Sequence, residues 1–281
     1  VAATLGAKAP ISLRVNPNVD PKTHPYIATG LKSSKFGVPF AAALPLYRHA
    51  STLPHLVIKG IDCHIGSQLL DPGPAAEAAQ KIFSLADTLA AEGMPLQHID
   101  LGGGLGIRYR NEKAPSVDEY LGPILALMKG RKETLLIEPG RSLVGNAGVL
   151  LSRVEVIKHG EEKNFAVIDV AMNDLMRPAL YDAWHDILPL KQANAGATEQ
   201  AYEIVGPVCE SGDFIGHGRR LSLQEGDLLA IMSTGAYGMA MSSNYNSRPR
   251  AAEVMVDRDQ AHLIRQREDI AQLYALESTL P

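Results

Sequence analysis

Four short apolar segments punctuate the first half of the chain at roughly forty-residue intervals: Ile11–Pro17, Val57–Cys63, His98–Leu101 and Thr134–Glu138. Between them the sequence changes to helical spacing. Phe40–Ala50 reads as one helix. Ile82, Leu85, Ala86 and Leu89 mark the apolar face of a second over Pro74–Glu92, closed by Gly93. Ser116-Val-Asp-Glu119 is a capping box that opens a third helix to about Lys129, with Pro123 placed to kink it. Strand and helix alternating in this rhythm are parallel βα units, and four such units are half of a (β/α)8 barrel. After residue 147 the rhythm stops. Val149–Ile157, Asn164–Val170, Ala201–Val208, Asp227–Ser233, Ala251–Val256 and His262–Arg265 read as strands with no regular helices between them. The predicted organisation is an α/β half-barrel over residues 1–147 and a mostly antiparallel β domain over 148–281.

The 281 residues carry a net charge of −4 and are 46% hydrophobic, enough for two cores. No basic run offers a footprint for nucleic acid. The apolar runs are too short for a membrane-crossing helix, and the first residues lack the pattern of a signal peptide. Two cysteines in different contexts, Cys63 and Cys209, suggest free thiols in a reducing cytoplasm. The chain begins with Val, which suggests a truncated product.

Three successive strands end unusually: His64 and Ser67 after the second, Gly102-Gly103-Gly104 after the third, Glu138 and Arg141 after the fourth. In a parallel barrel those ends share the face that carries active sites. The glycines are not the G-x-G-x-x-G dinucleotide pattern, but three residues without Cβ allow close approach to an anion. Their N–H groups and the Ser67 hydroxyl suit a phosphate, His64 a flat ring, and Glu138 a ring nitrogen that it would keep protonated. Phosphate, ring and basic nitrogen together describe pyridoxal 5'-phosphate. No metal site is expected. Each residue also has a plainer reading: His64 as a half-buried strand end, Glu138 as a turn carboxylate, Arg177 as a solvated loop charge, Cys209 as a small buried apolar group. Cys63, which alternation turns away from His64, reads as core. Trp184 and Tyr202 read as packing, Lys35 as a loop residue, and Lys32 and Arg14 carry no assigned role.

The motifs His24–Gly37, His64-Ile-Gly-Ser-Gln68, Gly102–Gly104, Glu138-Pro-Gly-Arg141, Met176-Arg-Pro-Ala-Leu-Tyr181, Cys209-Glu-Ser-Gly-Asp213 and Gly235-Ala-Tyr-Gly238 stand in an order that resembles the diaminopimelate decarboxylase family. The resemblance covers nearly the whole chain. It implies an alanine-racemase-like fold and pyridoxal phosphate-dependent loss of carbon dioxide from meso-2,6-diaminopimelate to give L-lysine. It further implies that His64 stacks on the ring, that Ser67 and the three glycines serve the phosphate, that Gly140 and Arg141 reach toward phosphate and substrate, and that Glu138 faces the pyridine nitrogen. Arg141, Arg177 and Tyr181 would take the distal carboxylate, Glu210 the distal ammonium, and Tyr237 both cofactor and substrate. Cys209 would be the proton donor. Cys209 and Glu210 would serve the partner's site in a homodimer. One motif is missing: the family's cofactor lysine lies in Tyr-Ala-x-Lys-Ala-Asn, whereas here Lys8 is followed by Ala9-Pro10. That departure suggests a C-terminal fragment, and it keeps open a non-catalytic binding homologue. A decarboxylase of ornithine or arginine type is the other alternative, though an acidic residue would then be expected at Arg177.

Overall fold

The computed structural model describes residues 1–24, 27–31, 34–191 and 198–280. Pro25, Tyr26, Lys32 and Ser33, all in the 24–37 motif, lie outside the described residues. The chain forms two compact units, Val1–Leu143 and Val144–Pro281.

The first unit runs β1 (Ala9–Asn16), β2 (Val38–Pro39), α1 (Phe40–Ser51), β3 (Leu56–Asp62), α2 (Gly73–Ala91), β4 (His98–Asp100), α3 (Val117–Met128) and β5 (Thr134–Leu136). Its sheet has the order β2-β1-β3-β4-β5, and every pairing is parallel. The C-terminal ends of β3, β4 and β5 therefore fall on one side, in register through Asp62, Asp100 and Leu136. α2 covers the sheet because its alanines and larger apolar residues share a face: Ala78, Ala79, Ile82, Phe83, Ala86 and Leu89 are buried with Ile61 and Ile99 of the strands. Each large side chain so buried contributes about 1.5–3 kcal/mol. The Ser116–Glu119 capping box is formed in both directions at the start of α3. Pro123 lies inside that helix without ending it.

A short helix, α4 (Arg141–Val144), contains the division between the units. The second unit continues with β6 (Leu150–Lys158), β7 (Asn164–Ile168), α5 (Arg177–Tyr181), β8 (Ile187–Pro189), β9 (Gln200–Val205), β10 (Phe214–Leu221), β11 (Leu228–Ile231), β12 (Glu253–Asp257), β13 (Gln260–Arg265) and α6 (Ile270–Leu273). Six strands form one sheet, β10-β9-β7-β6-β11-β8, antiparallel except between β7 and β9. It curls until β10 approaches β8, around a core of Val154, Ile168, Ile204, Ile215 and Leu229. β12 and β13 pair only with each other.

Three strands escape the sequence reading: β2, β8 and β10. β2 and β8 are only two and three residues long. β10 has eight, but its register shifts around Gly216 and Arg219, so its apolar residues never alternate cleanly. Among the described residues no helix is long and apolar enough to cross a membrane.

Candidate active site

His64 comes two residues after β3. Strand alternation buries Cys63 in the core and turns Asp62 and His64 to the other face. Burial pushes the Cys63 thiol up, out of reach of ionisation at neutral pH. Burial, seconded by the charge of Arg14, holds the His64 imidazole below its ordinary range. The Gly103 N–H donates to His64 Nδ1 at 3.2 Å. Nδ1 is thus the acceptor, and the neutral ring carries its proton on Nε2. The Thr29 hydroxyl donates to the His64 carbonyl at 2.8 Å, fixing the backbone below the ring.

The three glycines wedge between neighbouring strand ends. Gly102 has φ +68°, and a Cβ there would lie 2.5 Å from His64 Nδ1; at Gly103 it would lie 2.1 Å from the Glu138 carbonyl oxygen. Close packing of three strand ends is therefore one reason for the triplet. Its N–H groups are also partly used: Gly102 donates to Asp100 Oδ1 at 2.9 Å, and Gly103 to His64. Of the three, only the Gly104 N–H has no protein acceptor among the described residues. The sequence-level idea that the whole triplet cradles an anion is narrowed to that one amide.

Asp62, Asp100 and Glu138 place carboxylate oxygens within 4.8 Å of one another at the ends of three adjacent strands. Burial, then the charge of Asp100, pushes the Asp62 carboxyl up to about 6, and Glu138 adds to the effect. Arg14, the register partner of Asp62 on β1, opposes it. A floor this negative suits a cation or the N–H of a protonated heterocycle.

Beside it, Arg141 is 5% exposed. Its Nε and Nη2 donate to Ser67 Oγ at 3.3 and 3.1 Å, and its Nη1 donates to the Tyr109 hydroxyl at 2.6 Å. Gly140 precedes it in the turn, where its carbonyl accepts from the Leu143 N–H. The parallel sheet thus brings His64, Ser67, Gly102–Gly104, Glu138, Gly140 and Arg141 to one end. Asp62, Asp100, Arg14 and Tyr109 belong there too and were missed. The signal for Asp62 was available, since it stands two residues before His64. Tyr109 was not legible, because it lies in an irregular loop.

In the second unit, Arg177 opens α5 with Pro178 behind it, a position where proline's missing N–H costs nothing. Arg177 is 6% exposed, which overturns the solvated-charge reading. Tyr181 ends the same helix, before Asp182 in the left-handed region. Cys209 is exposed, so it is not a small core residue either. Its loop is held by buried Asp213, whose oxygens accept from the Met172 and Val208 N–H groups at 2.7 and 2.8 Å. Glu210 accepts from the Tyr245 hydroxyl, and this holds the phenol above its ordinary range. Tyr237 is exposed and has φ +59°, a strained conformation for a bulky residue and a mark of functional sites.

Comparison with known proteins fits this geometry. The family model of the pyridoxal-binding domain of pyridoxal-dependent decarboxylases matches residues 2–145. The diaminopimelate decarboxylase of Vibrio cholerae serotype O1 is 57% identical over 282 residues, covering 100% of this chain and 67% of its own length.

The chain belongs to the diaminopimelate decarboxylase family.

Two solved members superpose closely. The Helicobacter pylori enzyme complexed with L-lysine has a TM-score of 0.93 at 42% identity, covering 98% of this chain and 68% of that one. The M. jannaschii enzyme in co-complex with L-lysine has a TM-score of 0.92 at 40% identity, covering 100% and 66%. The chain spans about two thirds of the length of the family members it matches. The fold is the family's alanine-racemase-like one, a parallel βα half-barrel and a curled mixed sheet.

Proposed function

We propose that the chain serves the pyridoxal phosphate-dependent decarboxylation of meso-2,6-diaminopimelate to L-lysine and carbon dioxide, in the cytoplasm and as a homodimer. The observation that carries this reading is the meeting of neutral imidazole, glycine triplet and carboxylate floor at three successive strand ends. The ring, when bound, accepts the electron pair left as carbon dioxide departs.

The chain's own residues bind and orient. His64 lies against the ring as a neutral stacking surface. Glu138, with Asp62 and Asp100 behind it, holds the proton on the pyridine nitrogen. Ser67, the Gly104 N–H and the turn at Gly140 take the phosphate. Arg177 and Tyr181, with Arg141, take the distal carboxylate; guanidinium suits this because it pairs with carboxylate in a fixed, two-point geometry. Tyr237 contacts cofactor and substrate. In the homodimer Cys209 and Glu210 serve the other subunit's site, where Glu210 takes the distal ammonium and Cys209 Sγ delivers the proton that replaces carbon dioxide.

A distal carboxylate grip also separates this substrate from ornithine and arginine, whose distal groups are cations. Titrating the chain with pyridoxal phosphate and following its absorbance tests the cofactor half. Saturable binding that Glu138→Gln and His64→Ala each weaken is the expected result. Incubation with meso-diaminopimelate or with ornithine then tests the substrate half, and release of putrescine without any lysine would sink the assignment.

A further inference from the structure

Arg177 is buried at the start of α5. Its Nη1 lies 2.8 Å from Nε2 of His185, a residue with no exposed surface. A guanidinium only donates, so His185 Nε2 must accept and carries no proton. On the other side of the ring, His185 Nδ1 lies 2.8 Å from the Met232 carbonyl oxygen. A carbonyl only accepts, so Nδ1 must donate. Two independent contacts therefore specify the same neutral tautomer.

The frame around this ring is rigid. His185 stands two residues before the start of β8 pairing and Met232 directly after β11; Ile187 and Ile231 are register partners, and the Met232 N–H donates to the Asp186 carbonyl at 2.8 Å. Arg219 Nη2 donates to the His185 carbonyl at 2.9 Å, and its guanidinium stacks 3.1 Å from the centre of the Trp184 ring. The Trp184 indole N–H donates in turn to Asp186 Oδ1 at 2.7 Å. Trp184, read from sequence as packing, is part of this brace.

We infer that His185 is a positioning residue for substrate recognition: clamped between the Met232 carbonyl and Arg177, its imidazole sets the direction in which the Arg177 guanidinium meets the distal carboxylate. The inference rests on the reading of Arg177 as a substrate residue.

The two ring nitrogens can be tested apart. An asparagine amide keeps a donor where Nδ1 stands, and a glutamine amide keeps an acceptor where Nε2 stands. The probes are L-lysine, which retains the distal carboxylate, and cadaverine, which lacks it. Both are titrated calorimetrically into the full chain saturated with pyridoxal phosphate. His185→Asn is expected to weaken L-lysine about tenfold, the scale of one charge-assisted hydrogen bond, and cadaverine by less than about twofold. His185→Gln should restore most of the L-lysine affinity. A histidine with only a structural role would shift both ligands together and would not distinguish Asn from Gln. Arg177→Ala is the control. If it weakens L-lysine while His185→Asn does not, the inference is overturned and the proposed function stands. If neither substitution matters, both fall. Should the His185 variants fail to fold, long-range 15N NMR of the unsubstituted chain decides: a proton on Nδ1 supports the clamp, and a proton on Nε2 overturns it.

Discussion

At Gly103 a single added methyl group would meet the Glu138 carbonyl oxygen at 2.1 Å, and that oxygen is backbone with nowhere to go. Gly103→Ala should therefore lower the urea midpoint by the equivalent of about 1–3 kcal/mol and weaken pyridoxal phosphate binding, because the strand end bearing Glu138 must move. Asp62 makes a pH prediction. Its folded carboxyl is pushed up to about 6, mainly by burial and then by Asp100, so the folded state holds the proton more tightly than the unfolded chain does. Its stabilising contribution is complete below the unfolded pKa near 4 and is lost as pH rises to about 6. Asp62→Asn removes the penalty: at pH 7.5 it should stabilise the chain by about 1–3 kcal/mol, and at pH 5 by clearly less. Comparing variant with parent in urea melts at each pH cancels the separate titration of His64. The sequence singled out His64 and Glu138 by their places at strand ends. It did not reveal that two further carboxylates and Arg14 share their surroundings, because Asp62 and Asp100 come from different strands and meet only across a sheet.

Elements that bury a periodic face were legible, because the burial that makes them is written in the spacing. α2 is the clearest case, whereas α3 was legible from its capping box. Ile82→Ala, at a fully buried position on α2, should cost about 2–5 kcal/mol in denaturant melts, with no loss of the strand-end chemistry of the folded fraction. Ser116→Ala removes the hydroxyl that accepts from the Glu119 N–H at 3.1 Å, and should cost about 1 kcal/mol. By contrast, β10 carries Gly216, His217, Gly218, Arg219 and Arg220 in a strand whose register shifts twice. Its pairing with β9 supplies order that its own composition does not advertise. α5 was hidden for another reason: five residues are too few to show a helical period, although Arg177 within it is buried.

For the molecule as a whole, the proposed sharing of Cys209 and Glu210 between subunits leads to a measurement. Sedimentation equilibrium should return twice the chain mass at micromolar concentration; a chain that stays monomeric at every concentration would contradict the shared-site arrangement. The sequence by itself determined what local periodicity encodes: four parallel βα units, the change to a β-rich unit, and the polar or glycine residues at three strand ends. Only the tertiary structure decided which atoms of those residues are engaged. The Gly102 and Gly103 amides already have partners, His64 takes one tautomer, and Arg177 leans on a histidine eight residues away rather than on solvent. The physical reason is that strand and helix signals arise from neighbours along the chain. Hydrogen-bond partners, desolvation and charge coupling arise instead from neighbours in space, which sequence spacing does not record.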